Sequence, residues 1–184
     1  RRLRSLLWES FQEDAAIRQV VQDEERIVWS NPTETLEDSS NRLSLWLYRI
    51  EENEYVKNQS LRRVNGNDRN VALAVPPLSL DLSYLVTPVS GNPESDLHLL
   101  GKTLQVFYEN SILVLHDSDE GTREELKLIL ARINLEELTR IWEALNQPYR
   151  LSVCYKVRLT RIEAERLRSS AVVSDSGRAY GRRE

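Results

Sequence analysis

The chain has 184 residues, of which 40% are hydrophobic and 29% are charged, and its formal net charge is -4. These values predict one globular domain with its own hydrophobic core. The negative net charge argues against a general nucleic-acid-binding protein, which is usually basic. The single cysteine, Cys154, excludes an internal disulfide and is typical of a reducing compartment, so we expect assembly in the cytoplasm.

No apolar run reaches the roughly 18 residues of a membrane span, and no signal peptide is recognisable. We therefore expect no direct membrane insertion. The chain contains no methionine and begins with Arg1, so we expect its natural start to lie further upstream.

The first 50 residues predict one helix and two strands. Residues 1 to about 20 carry apolar residues at the three- and four-residue spacing of an amphipathic helix. We interpret this helix as a cover for one side of a sheet, with packing on a neighbouring subunit as the alternative. We expect a short strand over 26–29, a polar loop over 36–40, and a strand with two largely apolar faces over 42–50.

Residues 51–70 are rich in Asn, Glu and Arg, and the Asn-Gly-Asn-Asp sequence at 65–68 is a strong turn signal. We predict a long exposed loop or hairpin with Arg62 and Arg63 near its tip. Long loops within a domain are often functional, and a solvated insertion without a function is the alternative.

The most regular strand pattern is PPLSLDLSYLVT at 76–87. Its leucines and Tyr84 alternate with polar residues, which predicts a central strand with one buried face. Two prolines fix the backbone where the strand begins. Asp81 lies in the middle of the strand, and we expect it to point outward or to pair with an arginine.

A helix capped by Ser95 or Asp96 is predicted next. Gly101 lies within this helix at a cost of about 1 kcal/mol relative to alanine, and such a glycine usually permits close approach of another backbone. We expect His98 to be hydrogen-bonded at the helix start.

The last third of the chain predicts three strands and one helix. A strand over 111–115 and another over 124–131, for which a helix is the alternative, flank an aspartate-rich turn. Asn134 and Glu137 have the spacing of a capping box and begin the clearest helix. The final strand, 151–162, has one apolar face and one polar, partly basic face.

Together these patterns predict an α/β (α+β) fold with a mixed, mainly antiparallel sheet flanked by helices. Residues 1–166 form the single predicted domain. Residues 167–184 are polar and form an extended C-terminal tail that we expect to be ordered only by a partner.

The sequence predicts no catalytic, cofactor-binding or metal site. Ser79 or Ser83, Asp81 and His98 supply the residue types of a catalytic triad, but there is no G-x-S-x-G elbow. The two histidines and the cysteine are scattered, and the six glycines are dispersed. We therefore expect a protein that is not an enzyme and that uses no cofactor.

Five segments, taken in order, resemble the tail-terminator (cap) proteins of contractile injection systems, the phage-tail-like particles of the antifeeding-prophage and virulence-cassette type. The segments are LWLYR at 45–49, PPLSLDLSYL at 76–85, HLLG at 98–101, Trp142-x-x-Leu145, and YRLSVCYKVR at 149–158. The resemblance covers most of the chain. It implies the fold of phage tail terminators and a six-fold ring that ends the inner tube and anchors the last sheath layer.

The resemblance also implies the partners: a homo-hexamer, the inner tube protein and the sheath protein, without nucleic acid. A non-catalytic adaptor domain of the same fold is the alternative. The expected core residues are Leu47, Leu80, Leu82, Tyr84, Leu100, Trp142, Val153 and Tyr155. The expected interface residues are Arg62, Arg63, Lys156, Arg158, Arg161, Arg166, Arg168 and Arg178. We further expect Arg158 or Arg161 to pair with Glu51 or Glu52 of the next subunit.

Overall fold

The computed structural model describes residues 1–53, 55, 62–64, 70–74, 78–116, 123–162 and 167–171. The α-helices in these ranges are α1 (Arg2–Glu13), α2 (Ala15–Val20), α3 (Pro32–Glu37), α4 (Pro93–Glu109) and α5 (Leu135–Ala144). The strands are β1 (Ile27–Val28), β2 (Leu43–Glu52), β3 (Arg62–Val64), β4 (Asn70–Ala74), β5 (Leu78–Pro88), β6 (Ile112–His116), β7 (Arg123–Leu130), β8 (Val153–Ile162) and β9 (Leu167–Ala171). None of these helices is long and apolar enough to cross a membrane.

Six of the described strands form the main sheet in the order β1-β2-β5-β8-β7-β6. The short β1 runs parallel to β2, and every other pair in this sheet is antiparallel. The prediction of a mixed, mainly antiparallel sheet with helices is therefore confirmed. The prediction of a strand over 124–131 is confirmed by β7, and the helical alternative is wrong.

One face of the main sheet, which we call the helical face, is covered by α1, α2 and α4. Leu45, Val86 and Tyr155 lie on this face in β2, β5 and β8, in one buried cluster with apolar side chains of the three helices. The ring of Phe107 on α4 packs edge-on against Tyr155 at a centroid distance of 4.8 Å. The interpretation of the N-terminal segment as a cover for the sheet is confirmed.

The opposite face, which we call the second face, is covered only in part. Leu85 and Cys154 on this face form a smaller buried cluster with Leu138 and Trp142 of α5. The Trp142 indole N–H donates to the Ser152 hydroxyl at 3.2 Å, so the buried ring leaves no unpaired donor. The predicted capping box is confirmed, because the side chains of Asn134 and Glu137 bond each other's backbone amides.

The N-terminal segment forms two helices, so the prediction of a single helix over residues 1 to about 20 is wrong. Asp14 has extended backbone angles between α1 and α2. Its carboxylate accepts hydrogen bonds from the backbone N–H groups of Ala16 at 3.0 Å and Ile17 at 3.1 Å. A short acidic side chain that bonds the next turn in this way ends one helix and caps another.

Two Asn-Pro pairs that predict turns begin helices in the structure. Asn31 caps α3, and Asn92 caps α4 in place of the predicted Ser95 or Asp96. In both helices a proline occupies the first turn, where its missing N–H removes no intrahelical bond. The prediction of a loop over 36–40 is therefore wrong in part, because α3 extends to Glu37.

Gly101 lies on the exposed side of α4. No described atom lies within 4 Å of the position that a Cβ would take there. The expected close approach of another backbone is therefore wrong for the part of the chain that the structure describes.

The remaining described strands form a second sheet in the order β3-β4-β9. The antiparallel pairing of β3 with β4 confirms a hairpin, but its strands extend to Ala74 instead of ending within 51–70. Arg62 and Arg63 lie in β3, opposite Ala74 and Leu73. β9, in the predicted C-terminal tail, pairs with β4 of the same chain. Ala74 pairs with Leu167 and Leu78 pairs with Ile162, so the β4–β9 ladder follows the β5–β8 ladder with an offset of one residue.

Candidate protein–protein interface

The half of the second face that α5 leaves uncovered carries charged side chains from four neighbouring strands. We call this group the charged strip. Glu51, Asp81, Arg158 and Lys127 lie opposite one another in a row that crosses β2, β5, β8 and β7. Arg49 and Lys156 belong to the adjacent row, in register with Ser83 and Ile129.

Asp81 is the most buried member of the charged strip, with only 6% of its surface exposed. Its Oδ1 accepts hydrogen bonds from Asn53 Nδ2 at 2.9 Å and from Arg158 Nε at 3.1 Å. Arg158 Nη2 lies 3.4 Å from the second carboxylate oxygen, and Lys156 Nζ lies 3.6 Å from it. The prediction that Asp81 pairs with an arginine is confirmed.

Two opposing effects act on the pKa of Asp81. Burial raises the pKa, but the hydrogen bonds from Arg158 and Asn53 and the charges of Arg158 and Lys156 outweigh it, so the pKa lies below its ordinary value. Asp81 is therefore an ionised anchor for the neighbouring cations and is a poor candidate for a general acid at neutral pH.

Glu51 completes the ion pairs on the β2 side of the strip. Its carboxylate lies 2.6 Å from Arg49 Nη2 and 3.8 Å from Lys156 Nζ. Lys127, at the β7 side, has no carboxylate within ion-pair distance among the described residues. The cations are thus neutralised at one side of the strip and not at the other.

The buried region under α5 contains a phenol and a thiol without catalytic character. Burial raises the pKa of Tyr48, and a hydrogen bond with Cys154 raises it further. Burial also raises the pKa of the Cys154 thiol, which is 1% exposed. A buried thiol that stays protonated is an inert packing group.

The structure does not bring the candidate triad residues Asp81 and His98 together. Asp81 is held by Arg158, and His98 lies on α4 with its Nε2 3.4 Å from Asp14 Oδ2. Among the described residues there is also no group of three or more His, Cys, Asp or Glu side chains that could hold a metal ion.

The expected interface residues are distributed over three places. Lys156 and Arg158 lie in the charged strip with 33% and 37% of their side chains exposed. Arg62 and Arg63 belong to β3, Arg161 to β8 and Arg168 to β9, whereas Arg166 and Arg178 lie outside the described residues. Arg158 pairs with Asp81 of its own chain, and Glu51 pairs with Arg49 and Lys156. The pairing of Arg158 or Arg161 with Glu51 or Glu52 of the next subunit stays a prediction.

The expected core residues differ in how far their side chains are buried. Leu100, Trp142 and Tyr155 are buried. Leu82, Tyr84 and Val153 are half-buried against the cluster on the helical face, and Leu47 and Leu80 are half-buried on β2 and β5.

Arg49, Asn53 and Lys127 were missed by the sequence patterns. An irregularity in the register between Leu47 and Arg49 places Arg49 opposite Ser83, on the second face. The alternation along 42–50 instead predicts Arg49 on the same face as Leu47. One extra residue in a strand reverses the faces of all later side chains. The Tyr48-Arg49 polar pair at the end of the apolar run was the available signal.

The chain belongs to the family described as the Pvc16 N-terminal domain, whose model matches residues 1–175. No protein with a curated description matches the chain. The family match confirms the resemblance to the tail terminators of contractile injection systems.

Two solved structures share the fold. The sheath/tube terminator of the extracellular contractile injection system PVC, in its extended state, matches with a TM-score of 0.60 at 16% identity, over 92% of this chain and 62% of that chain. The tube-terminating cap of the anti-feeding prophage matches with a TM-score of 0.53 at 20% identity, over 74% of this chain and 48% of that one. The chain therefore spans less than two thirds of the length of either protein.

Proposed function

We propose that this chain is a structural terminator that caps the inner tube of a contractile injection particle. The observation that carries the proposal is the family match over residues 1–175, together with a fold shared with one sheath/tube terminator and one tube-terminating cap. Asp81 is held in an ion pair with Arg158, and burial keeps the Cys154 thiol protonated, and both observations support a role without catalysis. A cap acts by surface complementarity, which needs rigid elements and no reactive group.

In this proposal six copies form a closed ring, with the tube protein on one side and the sheath protein as a further partner. A closed cyclic ring uses heterologous interfaces, so each subunit needs two different complementary surfaces. The charged strip offers one surface for this purpose, and the β3-β4-β9 sheet offers a separate surface for the tube or sheath protein. Exposed strand edges also suit a sheath partner that adds a strand by β-augmentation.

We also propose that residues 167–184 act as a contact tail of the domain formed by residues 1–166. Pairing of β9 with β4 supports a role for the tail in extending a sheet edge. A chain that ends at Ile162 lacks β9 and leaves the outer edge of β4 without this strand.

The test is tube capping by the purified chain. Native mass spectrometry measures the number of copies, and electron microscopy of tubes grown from the particle's own tube protein measures tube length and end density. We expect six copies on one tube end and shorter tubes. The chain that ends at Ile162 should cap less, whereas Arg140→Ala, which removes an ion pair exposed on α5, should cap normally.

Unchanged tube length together with bare tube ends would exclude the terminator. In that case a stable monomer that still binds another particle protein would favour the adaptor domain of the same fold.

A further inference from the structure

Three cations lie close together where β8 pairs with β7 in the charged strip: Lys127, which has no carboxylate partner in the described part of the chain, and the paired Arg158 and Lys156. Lys127 lies directly opposite Arg158, and because Ile129 is opposite Lys156, Lys127 is also a diagonal neighbour of Lys156. Like charges directly opposite each other across two strands are destabilising. Lys127 is exposed and has no ion-pair partner among the described residues, and Glu125, two residues away on the same face, has a contact of its own. An outside carboxylate would relieve this repulsion.

Two of these cations are held in place before any partner arrives. Asp81 fixes the Arg158 guanidinium through Nε and Nη2, and Lys156 lies between the carboxylates of Asp81 and Glu51. Binding to ordered side chains loses less rotamer entropy than binding to free ones. The β7 side of the strip is therefore a preorganised cationic surface.

A surface of opposite charge lies at the other side of the sheet. An open cleft of about 620 Å³ lies beside β1, and we call it the acidic cleft. Its lining residues are Asp23, Glu24, Glu25, Arg26, Asp38, Ser40 and Asn41. Arg26 pairs with Asp23, and Arg4 pairs with Glu24. Glu25 is exposed with no ion-pair partner among the described residues. Asp38 is also exposed, and hydrogen bonds from Ser40 and the nearby charge of Arg42 lower its pKa.

The acidic cleft and the charged strip cannot meet within one chain. The cleft precedes β1 and β2, whereas the unpaired side of the strip lies four strands away on β7 and level with Glu51 near the end of β2. Strand spacings of about 4.8 Å and rises of about 3.3 Å per residue give a separation of roughly 30 Å. Complementary surfaces at opposite corners of one subunit suit a head-to-tail contact between copies.

We propose that the charged strip docks the acidic cleft of a second copy of this chain, with Glu25 and Asp38 of that copy facing Lys127 and Arg158. The proposal rests on the proposed function, because it identifies the contact that closes the ring. Charge complementarity of this kind sets orientation and association rate. The contact should weaken as salt shortens the range of the interaction.

The experiment is a charge swap between two exposed positions, Lys127→Glu on the strip and Glu25→Lys in the cleft. Each single variant places like charges across the contact, and we expect its self-association constant to fall about tenfold at low salt. An equimolar mixture of the two variants restores opposite charges at every contact, and so does the chain that carries both changes. Both should recover association, while Arg140→Glu on α5 serves as a matched charge reversal elsewhere.

Sedimentation velocity measures the association of the chain alone. If the ring forms only on a tube, electron microscopy measures association as the fraction of tube ends that carry a ring. Circular dichroism checks that each variant is folded. Rings that form equally well in all variants, or a loss in the single variants that neither the mixture nor the double variant restores, would overturn the docking proposal and leave tube capping intact. Failure of the unchanged chain to cap tubes would instead overturn the proposed function.

Discussion

Removal of the Arg158 side chain tests the buried centre of the charged strip. In Arg158→Ala, Asp81 loses two charge-assisted hydrogen bonds but keeps Asn53 at 2.9 Å and Lys156 at 3.6 Å. Breaking a fully buried pair costs about 3–5 kcal/mol. Arg158 is 37% exposed, so water partly replaces it. We expect a loss of about 2 kcal/mol in the free energy of unfolding at pH 7.

The pH dependence of this loss identifies its cause. The folded-state pKa of Asp81 lies below its ordinary value, so ionised Asp81 contributes stability above that value and loses it as the pH falls through the folded pKa. Once Asp81 is protonated, Arg158 has no carboxylate to hold. The difference between Arg158→Ala and the unchanged chain should therefore shrink as the pH falls from 7 towards the folded-state pKa of Asp81.

Urea denaturation followed by tryptophan fluorescence measures this difference at each pH, because the chain has four tryptophans. In a chain that already carries Asp81→Asn, Arg158→Ala should lower the free energy of unfolding much less. This comparison completes a double-mutant cycle. Arg140→Ala removes the exposed pair with Glu136 and should cost under about 0.5 kcal/mol. A loss for Arg158→Ala that stays constant from pH 7 to acid would refute the role of Asp81.

Three further substitutions test the packing and the local geometry. Trp142→Ala should destabilise the protein by about 3–5 kcal/mol, measured by urea denaturation, because the buried ring joins α5 to the second face. Asn134→Ala should cost about 1 kcal/mol by thermal unfolding, because it removes the side-chain half of the capping box; an unchanged melting temperature would contradict this. Gly91→Ala should also lower the melting temperature, because Gly91 has a φ of 81° that strains other residues; equal stability would show that the turn relaxes.

The sequence predicted the strands of the main sheet because their alternation is local. β5 and β8 keep a period of two over most of their length, so residue spacing alone identifies them. The positions where helices begin and end depend on single side-chain hydrogen bonds, and for this reason the sequence patterns missed the helix cap at Asp14 and the helix start at Asn31. Asp and Asn favour turns as readily as helix caps.

The alternation of apolar and polar residues did not predict how deeply the side chains on each face of β5 are buried. The leucines of 78–84 predicted the buried face, yet Asp81 and Ser83 are buried while Leu78 is 42% exposed. The prediction of one buried face is therefore wrong in part, because contacts with other strands bury the polar face. Arg158 on β8 and Asn53, directly after β2, donate hydrogen bonds to the Asp81 carboxylate, and the register irregularity in β2 brings Arg49 to the same face. Such contacts join residues up to 77 positions apart.

The one-residue offset between the two ladders has a mechanical consequence. β4 precedes β5 and β9 follows β8 along the chain, so tension applied to the second sheet reaches the main sheet at β5 and β8, its two central strands. Because β5 begins and β8 ends at the same end of their ladder, such tension pulls both strands in one direction and shears their ladders with β2 and β7. The load from the second sheet is therefore carried by β5 and β8, which form more residue pairs with their neighbours than the other strands of the main sheet do.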